Sequence, residues 1–156
     1  MLALGVVVGL AAAALRGADW GRLAEARWRL WPLVLAGLAI QLLLYGRVEG
    51  RTLPDLPYAA ALYLLSHVLV LASFAANWRV RGVPLLIVGA LLNLAAIAAN
   101  GGQMPSTNRG MTDATPLWFL ADWLELPLLP RRLFSIGDLF LAVGAAVTVY
   151  GMARRR

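Results

Sequence analysis

Asp138 is, by residue type and setting, the strongest candidate for chemistry in this chain. It lies in Phe134-Ser135-Ile136-Gly137-Asp138, at the head of an apolar run. A carboxylate there can exchange a proton, or hold a cation or a hydrogen-bond donor. Upstream, Asn93 and Asn100 stand seven apart in another apolar run, so a helix lines both amides on one stripe. Asn100 opens Asn100-Gly101-Gly102-Gln103-Met104-Pro105, and Asp113 and Asp122 follow in the polar segment before Phe134. Gln41 and His67 each interrupt a further apolar run. Polar side chains are costly inside a membrane and turn toward the protein interior, which makes them site candidates. The candidate ligand-binding set is Gln41, His67, Asn93, Asn100, Met104, Asp122, Ser135 and Asp138. If any of them is catalytic, it is Asp138.

Each candidate also has a purely structural reading. Ser135 and Asp138 fit the capping-box spacing at a helix start. Asn100-Gly101-Gly102 fits a helix C-terminus. Gln41 and Asn93 can serve as hydrogen bonds between helices. His67 stands alone, and Met104-Pro105 can be a simple turn.

Composition narrows the classes. With 61% hydrophobic residues, against ~45–50% in soluble domains, the chain reads as a polytopic membrane protein. It lacks cysteine, which excludes disulfides and thiolate chemistry. One histidine is too few for a multi-histidine metal centre, so neither metal nor cofactor is expected. The net charge of +6 comes with no arginine-rich helix or stacking platform, so nucleic acid is set aside. The expected partners are the lipid bilayer and another membrane protein or a second copy of the chain.

The elements that must position these residues are predicted to be all-α: one bundle, 1–156, of five transmembrane helices. The spans are about 2–15, 31–45, 58–76, 83–100 and 135–152. Gly5, Gly9 and Ala13 give the first span a smooth face, and Gly137, Gly144 and Gly151 form a row on the fifth. Gly17 to Leu30 reads as an interfacial segment, with Leu23, Ala26 and Leu30 on one side of a helix and a Glu25–Arg29 pair on another. Trp28 and Trp31 suit the headgroup region. Gly46 to Pro57 reads as a solvated turn, and 77–82 as a tight inner turn. Thr115-Pro116 predicts an N-cap with proline at N1. It starts a short interfacial helix over 116–126, with Leu117, Leu120 and Leu124 facing down. With the N-terminus outside, nine arginines fall on inner segments and five on outer ones. The positive-inside rule therefore predicts N-out, C-in, in a bacterial cytoplasmic membrane.

The pairing of Asn93 and N-G-G-x-M-P with F-S-I-G-D resembles an uncharacterised bacterial family of small five-pass membrane proteins, a domain of unknown function. The likeness covers nearly the whole chain and implies no activity. A second resemblance covers the last two spans. Lipoprotein signal peptidases, which are membrane aspartyl proteases, carry G-x-x-x-N-x-x-D and then F-N-x-A-D. Gly89-x-x-x-Asn93 and Phe134-Ser135-Ile136-Gly137-Asp138 are similar, but Ala96 stands where the first catalytic aspartate belongs. Aspartyl hydrolysis needs two carboxylates, so that activity would depend on a loop aspartate, Asp122 or Asp113, as the second, which nothing in the spacing requires.

The expected function is binding of a lipid-like or small polar ligand, or a partner subunit, at an outward-facing polar site. The alternative is a membrane-embedded hydrolase acting on a lipid or lipoprotein at the outer leaflet. A transporter is a third reading, but the chain is short and shows no inverted repeat.

Overall fold

The computed structural model describes residues 1–48, 58–127, 129 and 132–154, with side chains in the third helix described to Leu44. The chain is mostly helical. Its helices are α1 (Leu2–Leu15), α2 (Trp20–Glu25), α3 (Trp31–Val48), α4 (Ala59–Ala76), α5 (Val83–Ala99) and α6 (Ile136–Ala153). Among the described residues, α4 and α6 are long and apolar enough to cross a membrane. By the same test α1, the Trp31–Leu44 part of α3, and α5 are shorter apolar helices. The predicted turn over 46–57 lies, from residue 49 on, outside the described residues.

The long helices pack in a row: α1 on α6, α6 on α5, α5 on α4, α4 on α3. Small residues set these contacts. Gly5, Gly9 and Ala13 are all buried. The two glycines lie against the Ala142 and Ala146 backbone of α6. Opposite them, Gly89 meets Gly137 and Leu141, while Gly144 meets Leu86. Without side chains in the way, backbones approach closely and gain dispersion contact. The pairings rise together for α1 and α6 and run oppositely for α5 and α6, so α1 and α6 are parallel and α5 is antiparallel to both. α3 and α4 are antiparallel as well, because Gly37 lies on Ser66 while Trp28 reaches Ser73. Direction thus alternates along the chain. Met1 and the 100–135 segment share one end of the row, here the loop end. Residues 16–30, 77–82 and 153–154 share the other, the turn end.

The turn end is stitched by polar groups that sequence reading passed over. Asn77, at the end of α4, is buried. Its amide nitrogen donates to the Arg29 and Ser73 carbonyls, each at 2.8 Å. Its Oδ1 accepts the Arg29 N–H at 3.0 Å. Trp28 Nε1–H donates to the buried Ser73 hydroxyl at 2.8 Å, and its ring meets Phe74 edge-on. Asn77→Ala leaves buried donors and acceptors unpaired. It should cost about 2–4 kcal/mol, read as a lowered thermal midpoint in detergent, whereas exposed Trp78→Ala should cost far less.

Two expectations fail locally. The 17–30 segment is helical only over Trp20–Glu25, capped by Asp19, whose carboxylate accepts the Arg22 N–H. The helix stops before Arg29, so the Glu25–Arg29 helical pair and the shared face of Leu23, Ala26 and Leu30 do not form. Trp28 turns inward because Ser73 offers its indole a partner. The helix expected over 116–126 is also absent. One 3-10 turn, Trp118–Leu120, is followed by strand β1 (Leu124–Glu125) paired antiparallel with β2 (Leu133–Phe134). Thr115 Oγ1 accepts the Thr112 N–H, so it caps no following helix. Leu117 adopts φ 52, which breaks helical continuation. Of the three leucines expected to point down, Leu120 is buried, Leu124 half-buried and Leu117 exposed.

Candidate functional site

Residues from four parts of the chain meet at the loop end. Ser135 is the N-cap of α6, and its hydroxyl accepts the Asp138 N–H at 3.0 Å. The Asp138 carboxylate reaches back to the Ser135 N–H at 3.5 Å, completing the capping box that the spacing predicts. Ser135 is fully buried, and its hydroxyl also donates to Asn93 Oδ1 at 2.8 Å. Asn93 Nδ2 then donates to Asp138 Oδ1 at 3.4 Å. The cap and the interhelical amide form one network joining α5 to α6. Gly137 is the residue that permits it: a Cβ there would land on the Asn93 side chain.

The loop delivers a second carboxylate. The Asp122 N–H donates to the Pro105 carbonyl at 2.9 Å, and the Thr107 N–H donates to the Asp122 carbonyl at 3.2 Å. On the other side, the Trp123 N–H donates to the Phe134 carbonyl at 3.2 Å, next to the β1–β2 pair. Residues 122–125 are thereby held between the Met104-Pro105-Ser106 motif and the strand that leads into Ser135. This arrangement brings Asp122 into the field of Asp138. Burial, and then the Asp138 charge, push the Asp122 carboxyl up to about 6, against weaker opposition from Arg109 and the Met1 amino group. Asp138 itself sits at a helix N-terminus, where negative charge is favoured. With its carboxyl raised in this way, Asp122 can exchange a proton near neutral pH.

Other predicted residues lie elsewhere. Asn100 donates to the Ala96 carbonyl at 2.8 Å and the Pro116 carbonyl at 2.9 Å, tying the end of α5 to the loop. Gly101 and Gly102 follow it with φ of 68 and 87, the left-handed conformation of a helix terminus. Gln41 donates to Ser66 Oγ at 3.1 Å, between α3 and α4. His67 Nδ1 stays with its own helix, 2.9 Å from the Tyr63 carbonyl. The Met104 carbonyl accepts from Arg109 at 3.3 Å. Asp113 is exposed. Sequence reading missed Ser106, which is buried and forms a parallel bridge with Asp122. Its position directly after Met104-Pro105 was the available signal. Among the described residues, no cluster of histidine or carboxylate side chains is suited to a metal ion.

Ser135→Ala removes both the cap and the Asn93 partner. It should lower stability by about 1–3 kcal/mol, measured by thermal unfolding in detergent. A loss no larger than that of an exposed serine would show that the network contributes nothing.

No curated protein and no solved structure matches the chain. A family model does, over residues 26–110 and 106–150, a range that includes Asn93, Met104-Pro105, Asp122 and Ser135-to-Asp138. The chain belongs to that family, the family of unknown function DUF5317.

Proposed function

We propose that this protein spans a bacterial cytoplasmic membrane five times, with the N-terminus outside and the C-terminus inside, and binds a small ligand at its outer mouth. Two helices long and apolar enough to cross support membrane placement. The alternating helix directions and the arginine-rich turn end support the orientation. The exposed apolar residues Val7, Val8, Leu35, Leu42 and Val143 suit contact with acyl chains. The ligand presents a cationic or hydrogen-bond-donating group, as in a lipid head group or small polar molecule. The observation that carries this is that half-buried Asp122, held at the loop end by its backbone, lies within the field of Asp138, itself part of the Asn93–Ser135 network.

Orientation is checked by fusing a reporter that works only in the cytoplasm. Placed after Arg156 it should be active, and at residue 105 silent; the reverse pattern contradicts the map. Binding is checked by mass spectrometry of the chain purified in mild detergent. A small molecule should stay on the wild type and be lost from Asp138→Asn and Asp122→Asn, both still folded. Identical spectra from all three proteins would remove the carboxylates from ligand binding.

The hydrolase reading is favoured by one specific feature: burial and the Asp138 charge push the Asp122 carboxyl up to about 6. Aspartyl hydrolysis requires two carboxylates, one of them able to give a proton, and a raised carboxyl suits that role. Ala96, at the position of the missing catalytic aspartate, is fully buried and has no ionisable group. Asp122 would act in its stead. Release of a cleaved lipid or lipoprotein product by reconstituted wild type, but not by Asp138→Asn, would move this reading ahead of simple binding.

A further inference from the structure

At the turn end, far from the carboxylates, an apolar groove of about 270 Å³ opens between α3 and α4, lined by Trp28, Trp31, Val34, Leu35 and Phe74. Its wall is fixed in place. Trp28 is anchored on Ser73, and the Arg29 backbone is clamped by Asn77. The same two tethers bring the 27–29 segment beside the 77–79 turn, so Arg27, Arg29 and Arg79 share the groove's end of the molecule. All three are exposed. Arg79 also stacks over Trp78, with its guanidinium carbon 5.3 Å from the ring centroid. The described acids of this end, Asp19 and Glu25, belong to the cap and last residue of α2, which packs on α6. An apolar slot with tryptophans at its rim and unopposed arginines beside it matches one occupant by both polarity and charge.

We propose that this groove is a binding site for an anionic phospholipid of the inner leaflet, one acyl chain in the slot and the phosphate against Arg27, Arg29 and Arg79. The proposal rests on the membrane orientation given above but is independent of the outer carboxylate site. Arginine holds a phosphate through paired N–H donors. Tryptophan prefers the depth at which head group and chain meet.

The test uses the full chain reconstituted in vesicles of equal phosphatidylglycerol and phosphatidylcholine, then extracted gently and weighed with its retained lipid by native mass spectrometry. Wild type should retain phosphatidylglycerol preferentially. The triple variant Arg27→Gln, Arg29→Gln, Arg79→Gln should lose at least about tenfold of that retention, each arginine near the surface being worth about fivefold. Val34→Trp, which fills the slot and keeps every charge, should lose it too. Arg109→Gln, which removes a cation at the opposite end of the molecule, should retain the lipid as wild type does. Equal retention of both lipids by membrane-inserted wild type overturns the proposal. So does unchanged retention in either the arginine or the Val34→Trp variant. A wild-type chain that leaves the membrane fraction on alkaline washing overturns the membrane reading itself, and this proposal with it.

Discussion

Gly137→Val should leave little folded protein. A Cβ at this position falls on the Asn93 side chain and lies 2.8 Å from the Gly89 carbonyl oxygen. Neither neighbour can yield cheaply. Asn93 is held by Ser135 and Asp138, and Gly89 is helix backbone. Relief means separating α5 from α6, which also pulls apart the Asn93–Ser135 hydrogen bond. The expected loss is about 3 kcal/mol or more, a large part of the ~5–15 kcal/mol that holds an ordinary domain together. Gly151→Ala, on the same glycine row, is the control. Its Cβ would sit 3.6 Å from the Arg81 side chain, an ordinary contact. That variant should be neutral or slightly stabilising, since alanine favours helix over glycine. Thermal midpoints and elution profiles in detergent distinguish the two. Equal behaviour would mean that α5 and α6 are not packed as described.

The contrast between these glycines shows what was legible beforehand. The rows at 5, 9, 13 and at 137, 144, 151 are visible as spacing, and helix periodicity turns spacing into a face. The capping box at Ser135 was legible for the same reason, being a local pattern four residues wide. That Asn93 joins the box was not, because the two are 42 residues apart and only packing of α5 on α6 brings them together. The loop was misread where local and long-range preferences conflict. Thr115-Pro116 looks like a helix start, but Asp122 and Trp123 pair their backbone N–H groups with Pro105 and Phe134 instead. A backbone satisfied by distant partners has no need of a helix. Asn100 was legible as a helix end, and its donation to the Pro116 carbonyl was not. The turn end shows the same limit: Asn77 reads as an ordinary helix terminus until Arg29 is placed against it.

Asp122→Asn should remove a pH dependence of stability at the loop end. In the folded chain the Asp122 carboxyl is raised from 3.8 to about 6, by burial first and the Asp138 charge second. The folded state therefore binds this proton more tightly than the unfolded state does. Its contribution is favourable below 3.8, is lost as pH rises to about 6, and is flat above that. Asparagine keeps the shape and abolishes the ionisation. The variant should have the higher thermal midpoint above about pH 7, and the difference should shrink toward zero near about pH 4. A difference that does not change with pH would mean that Asp122 titrates no differently in the folded protein.

Both functional readings rest on two carboxylates that sense each other at the loop end. The most direct test is an infrared titration of the carboxyl groups in the reconstituted full chain, with Asp122→Asn identifying the band. Asp122 is expected to lose its proton at about 6. Asp138→Asn should shift that midpoint downward, because the neighbouring charge is gone while the burial remains. An Asp122 that titrates in the ordinary carboxylate range, or whose midpoint ignores the loss of the Asp138 charge, would contradict the paired site.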